Sequence, residues 1–179
     1  MFSGNGLVNF AKAAKAANVH YIYGCAYEKL TVARLVELYN KYPKYISESR
    51  YNYAKNNYIN TLCTDCSGLI YGYTKDVKRR TSAALYNQAS VRKQINFNNL
   101  SEIPVGAVLW RDGHVGIYIG NGQDIEAQGF DTGIVIRNVK DTKFTHYLLF
   151  NDFSYKNPNA LKIAGIGFAL IVLFTLALK

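Results

Sequence analysis

The feature that most constrains the fold is a change of period near Ile103. From there apolar and polar residues alternate, and Val105–Arg111, His114–Gly120, Gln123–Gln128, Gly133–Val139 and Thr145–Phe150 read as five strands. Asn121-Gly122 is a strong hairpin turn between the second and third, because both residue types accept positive φ. Gaps this short make neighbouring strands antiparallel. Upstream the period is helical. Leu7, Phe10, Ala11 and Ala14 share one face of a helix from Leu7 to Ala17, with Asn5 or Gly6 as its start. Thr31 caps a second helix, with Val32, Leu35, Val36 and Tyr39 on one stripe, which ends before Pro43. Cys66–Tyr73 and Thr81–Ala89 are two more. Gly68 and Gly72 each cost a helix about 1 kcal/mol against Ala, so close backbone packing of that helix on the sheet is the expected compensation. Helices followed by a run of antiparallel strands predict an α+β domain with N-terminal helices packed on a five-stranded sheet.

Chemistry concentrates at Thr64-Asp65-Cys66-Ser67-Gly68, where a polar turn opens into a helix with a thiol at the junction. The first N–H groups of a helix lack internal partners and carry the positive end of its dipole, so they favour thiolate. His114 begins a strand 48 residues further on. A thiol and an imidazole make a nucleophile and a general base, and a third group must orient the ring. The following strand offers Glu126 as a candidate third group, since a carboxylate can accept Nδ1–H. Gln128 and Asp124 are substitutes if the register shifts by two, since residues two apart share a face. The Cys66 backbone N–H is the expected oxyanion donor, assisted by Tyr21 or a neighbouring donor.

Asp-Cys-Ser-Gly-Leu-Ile, then Gly-His-Val-Gly-Ile-Tyr-Ile-Gly, then Ile125-Glu126-Ala127, resemble the NlpC/P60 family of cell-wall cysteine peptidases in order and motif, from about Leu7 to Leu149. The resemblance implies a papain-like domain over residues 1–150, with no cofactor and no metal, that cleaves an amide of the peptidoglycan stem peptide, often γ-D-Glu–diamino acid. Tyr21-Ile22-Tyr23-Gly24 resembles the aromatic-Gly turn of that family, in which the first tyrosine reaches the catalytic centre; Tyr21 is the match, and Cys25 stands where a second glycine is usual. The positions of Asp65 and Ser67 bind a free stem-peptide amine in related enzymes, and Asp65 also suits a helix cap. Where many members have a third-residue histidine this chain has Glu126, which resembles a phage-associated subgroup. Residues 26–62 are longer than the family's usual crossing and read as a helical, Tyr-rich insertion. It is either a flap whose Tyr42, Tyr45, Tyr51, Tyr53 and Tyr58 touch the wall, or a cover for one end of the domain.

Three cysteines, Cys25, Cys63 and Cys66, are an odd count and describe no disulfide framework. Cys63-x-x-Cys66 with Cys25 and His20 raises a zinc site as a rival, and a reversible Cys63–Cys66 disulfide as another. The net charge of +9 suits a polyanionic wall or an acidic membrane; nucleic-acid motifs are absent, so no nucleic-acid partner is expected. Residues 151–160 read as a polar linker. Ile163–Leu178 is an unbroken apolar run, on the order of 24 Å as a helix against a hydrocarbon core of about 30 Å. Residues 161–179 are therefore expected to engage a bacterial membrane, and oligomers could form through them. Met1–Asn18 has no charged-then-apolar leader pattern, so another route to the envelope is expected. Together these features suggest a phage lysin acting from the virion or in the host envelope. A bacterial tail-anchored endopeptidase, an amidase or acyltransferase of the same fold, and a non-enzymatic membrane-disrupting module are the alternatives.

Overall fold

A computed structural model describes residues 1–75 and 81–155. The expected membrane-engaging tail, 161–179, lies outside the described residues. In chain order the elements are β1 (Phe2–Ser3), α1 (Gly4–Ala16), β2 (His20–Tyr21), β3 (Glu28–Lys29), α2 (Val32–Lys41), α3 (Glu48–Asn57), β4 (Leu62–Thr64), α4 (Cys66–Thr74), α5 (Ser82–Gln88), β5 (Val91–Gln94), β6 (Val108–Arg111), β7 (His114–Gly120), β8 (Gln123–Gly129), β9 (Gly133–Asn138), β10 (His146–Leu149) and β11 (Phe153–Ser154). The main sheet is antiparallel throughout and has six strands, not five, in the order β5-β10-β6-β7-β8-β9. The extra strand is Val-Arg-Lys-Gln, exposed at all four positions, so it carries no alternation to be read. Its basic side chains suit an edge that must not recruit another strand.

Each helix starts on a side-chain cap, with Ser3, Thr31, Ser47, Asp65 and Thr81 accepting first-turn N–H groups. The start of α1 is Ser3 rather than Asn5 or Gly6. Leu7, Val8, Ala11 and Ala14 turn inward, joining Leu69 and Ile70 of α4 against Val115, Ile117, Ile125 and Ala127 of the sheet. Strand β6 begins three residues later than expected, because Gly106 takes φ +86° and its backbone lies against Gly4, where a Cβ would meet Gly4 Cα at 2.2 Å. The expected linker begins inside the domain: β11 pairs in parallel with β1, Phe153 is buried, and the Tyr155 hydroxyl accepts the Phe150 N–H at 3.2 Å.

Residues 26–62 form helices α2 and α3 with a core of their own, built from Leu30, Leu35, Leu38, Ile46 and Ala54 together with Ile22, Cys25 and Cys63. They are not wholly helical, since β3 joins β4 and β2 in a three-stranded sheet. A Cys25–Cys63 disulfide closes this unit, with Cα atoms 5.9 Å apart and both residues fully buried. It corrects the expectation of no disulfide framework and the Cys63–Cys66 alternative. It also removes the zinc ligand set that spacing suggested, and His20 stacks on Tyr58 at 3.8 Å instead of approaching a thiol. Among the described residues no helix is long and apolar enough to cross a membrane.

Candidate functional site

Cys66 is the first residue of α4, half-buried and outside the disulfide. Its place is set by Asp65. One carboxylate oxygen accepts the Gly68 N–H at 2.7 Å and the Ser67 hydroxyl at 3.3 Å, while the other accepts the Gly24 N–H at 3.0 Å. The helix start is thus tied to the turn after β2. The glycine expectation is met differently from its prediction: a Cβ on Gly68 would lie 2.3 Å from the Cys25 carbonyl oxygen, and one on Gly72 would lie 2.6 Å from the Tyr27 ring. Both glycines admit the segment 25–27, not the sheet.

His114 enters from the other side. The Asp112-Gly113 turn, with Gly113 at φ +74°, pairs Arg111 with His114 and leaves the imidazole at the first position of β7. The ring is buried, stacks on Phe144 at 5.8 Å, and places Nε2 2.5 Å from Glu126 Oε2. The partner nitrogen is therefore Nε2, not the expected Nδ1. Glu126 is 1% exposed, and its other oxygen accepts from Arg137 Nε at 2.8 Å. Burial alone would raise the Glu126 pKa; the His114 hydrogen bond and charge and the Arg137 guanidinium outweigh it and hold the carboxyl below the usual range. An anion locked between a cation and an imidazole can orient the ring and stabilise imidazolium.

Asp124, one of the two substitutes, lies two residues away on the same strand and is fully buried, with neither carboxylate oxygen hydrogen-bonded. Burial, and then the neighbouring Glu126 charge, push its pKa up to about 7, against the opposing pull of Arg137. In neutral form it adds no second anion beside Glu126. Gln128 lies further along β8; the hydrogen bond to His114 is made by Glu126.

A cavity of about 250 Å³ opens on Cys66, lined by Tyr23, Gly24, Tyr42, Asp65, Ser67, Thr81, Ser82 and Gly113. The thiol and the turn that carries His114 thus meet at one cleft. Tyr21 is half-buried, pairs in register with Thr64, packs against the main core and lines a neighbouring cavity. The tyrosines in the Cys66 cavity wall are Tyr23, two residues on, and Tyr42 of the insertion. Burial, then the Tyr45 hydrogen bond, then the charges of Tyr45, Asp65 and Cys66 push the Tyr23 pKa up to about 12, so it stays a neutral hydroxyl. Sequence reasoning missed Tyr23 and Arg137. For Tyr23 the signal was its place in the turn beside Gly24. For Arg137 it was an arginine inside a strand that pairs with the one carrying Glu126.

A family model described as the NlpC/P60 family matches residues 48–151. Among solved structures, the NlpC/p60 domain of the peptidoglycan hydrolase SagA is similar at 19% identity over 81% of this chain and 97% of that one, with a TM-score of 0.49. NlpC2 from Trichomonas vaginalis is similar at 16% identity, over 81% and 46%, with a TM-score of 0.47. The P60 domain of an antigen of M. avium subspecies paratuberculosis is similar at 20% identity, over 82% and 96%, with a TM-score of 0.45. Comparison with curated proteins finds no match.

Proposed function

Because this chain belongs to the NlpC/P60 family of peptidoglycan hydrolases, we propose that it is a cysteine peptidase cleaving an amide of the peptidoglycan stem peptide through Cys66, His114 and Glu126. The observation that carries the residue assignment is the chain Arg137–Glu126–His114, entered from the Gly113 turn that lines the same cavity as Cys66. With Nε2–H on Glu126, Nδ1 is the nitrogen left to take the Cys66 proton.

Cys66 Sγ adds to the carbonyl carbon, and the oxyanion meets the Cys66 backbone N–H, with the neutral Tyr23 hydroxyl as an additional donor in the cleft. Tyr21 shapes the turn that holds Tyr23. The C–N bond then breaks, and the imidazolium gives its proton to the leaving amine. Water, deprotonated by His114, attacks the thioester and releases the acid and free Cys66. Glu126 keeps its charge throughout and lowers the energy of each imidazolium state. Asp65 and Ser67 hold the helix start in register with the Tyr23 turn.

The finer reading is a phage lysin that cleaves γ-D-Glu–diamino acid, with residues 1–150 as the catalytic unit and 161–179 as a membrane-inserting tail. It is supported by the Glu126 variant and by the apolar run Ile163–Leu178. The test is digestion of purified peptidoglycan by the full chain and by Cys66→Ala, with mass spectrometry of the fragments. New amine termini that require Cys66 identify the bond; identical inert digests from a folded chain with a reactive Cys66 thiol refute the peptidase.

A further inference from the structure

Strand β8 carries a second acid that the mechanism does not use. Asp124 is wholly buried, and neither of its oxygens has a hydrogen-bond partner. A buried acid without a partner is costly to the fold, and such groups gather where function needs them. In the β8–β9 register Asp124 lies directly opposite Arg137, while Glu126 lies opposite Val135. Arg137 nevertheless reaches diagonally along β8 to Glu126, its Nε 2.8 Å from Oε1, and leaves the acid facing it unpaired. One guanidinium thus stands between two carboxylates on one face of one strand.

On its other side Asp124 is in register with Tyr118 of β7, whose face also carries His114. Tyr118 is already committed, donating to the Leu100 carbonyl at 2.9 Å and accepting the Gly122 N–H at 3.1 Å. The ground between Asp124 and His114 is apolar. A Cβ on Gly116 would lie 3.2 Å from Asp124 Oδ2 and 2.8 Å from the Phe144 ring, and Phe144 stacks on the His114 imidazole. Among the described residues, the charged and titratable groups facing Asp124 are therefore Glu126 on its own strand, Arg137 from β9, and His114 and Tyr118 from β7. Phe144, from the loop before β10, adds none. With solvent excluded, a charge on Asp124 acts on this cluster with little screening. Burial and the Glu126 charge keep the proton on Asp124 up to about pH 7. Above that it is a second anion that shares Arg137, and the Glu126 charge turns more fully to His114. An added anion favours imidazolium over imidazole.

We infer that Asp124 is a positioning residue for catalysis: acting through Arg137 and Glu126, its carboxylate keeps His114 able to hold a proton on the alkaline side of the activity range. The inference rests on the peptidase reading above. Its test is kcat/KM against pH from 5 to 9 for the full chain and for Asp124→Asn, which keeps the shape and removes the charge. Well below pH 7 the two profiles should coincide, because wild-type Asp124 is itself neutral there. On the alkaline side the descending limb of Asp124→Asn should lie about one unit lower, about a tenfold loss of kcat/KM at a given pH on that limb. A ratio of the two that stays constant at every pH marks Asp124 as a packing group and overturns the inference. A second arm needs no activity: NMR titration of the His114 ring in full-length Cys66→Ala, with and without Asp124→Asn. If no substrate is cleaved at any pH the peptidase reading has failed, and this arm still decides whether Asp124 governs His114. A titration midpoint moved to lower pH by Asp124→Asn supports the inference, and an unmoved midpoint refutes it. Asp124→Leu stands in where Asp124→Asn does not fold, and failure of both to fold makes Asp124 structural and overturns the inference.

Discussion

Replacing Arg137 with Met should move the acid limb of activity without removing the catalytic groups. Glu126 is 1% exposed and its charge is held by Arg137 on one oxygen and His114 on the other. Two unit charges about 4 Å apart interact by about 4 kcal/mol at an effective dielectric of about 20. Arg137 is 34% exposed along its side chain, so solvent screening reduces that to about 1.5–3 kcal/mol, or about one to two pH units on Glu126. The sign follows from the direction of the shift. Arg137 lowers the Glu126 pKa, so its loss raises it, and the carboxylate that supports imidazolium becomes protonated at higher pH. The assay is kcat/KM against pH from 4 to 8 for wild type, Arg137→Met and Arg137→Lys. The acid limb should rise by about one to two units in Arg137→Met and return part of the way in Arg137→Lys. A uniform loss at every pH, with an unmoved limb, would show that Arg137 serves only as packing and would refute the electrostatic reasoning.

The Cys25–Cys63 disulfide spans 38 residues, for which chain entropy suggests about 4 kcal/mol. The double Ser variant should lower Tm substantially, and reductant should reproduce that loss in wild type but not in the variant. Asp124, with its folded pKa raised to about 7, favours the fold below its unfolded pKa of about 3.9. That contribution disappears as pH rises toward 7. Thermal unfolding should therefore show Asp124→Asn gaining on wild type between pH 4 and 7.5 by on the order of 2–4 kcal/mol, and parallel curves would refute the assignment. Gly68→Ala must displace the Cys25 carbonyl, which accepts the Asp65 N–H at 3.1 Å. A loss of about 1–3 kcal/mol in denaturant unfolding, with weaker activity, is expected.

Local chemistry carried much of this molecule in its order of residues. Thr31 and Thr81 were readable as caps because a hydroxyl answers an N–H three residues on, without help from elsewhere. The central strands were readable because their burial alternates or runs unbroken, and Asn121-Gly122 supplied the turn. Cys66 and His114 were visible because helix start and strand start each have a local signature. Pairings across the fold were not. Strand β5 exists because β10 offers it an edge, and Cys25 reaches Cys63 because β2 and β4 lie side by side. Whether His114 presents Nδ1 or Nε2 to Glu126 depends on how two strands bring their side chains together. The places of Arg137 and Tyr23 in the site depend on the same packing. Caps, periods and turns span a few bonds and are written in neighbouring residues, whereas a site assembled from segments far apart in the chain comes into being only when the chain packs.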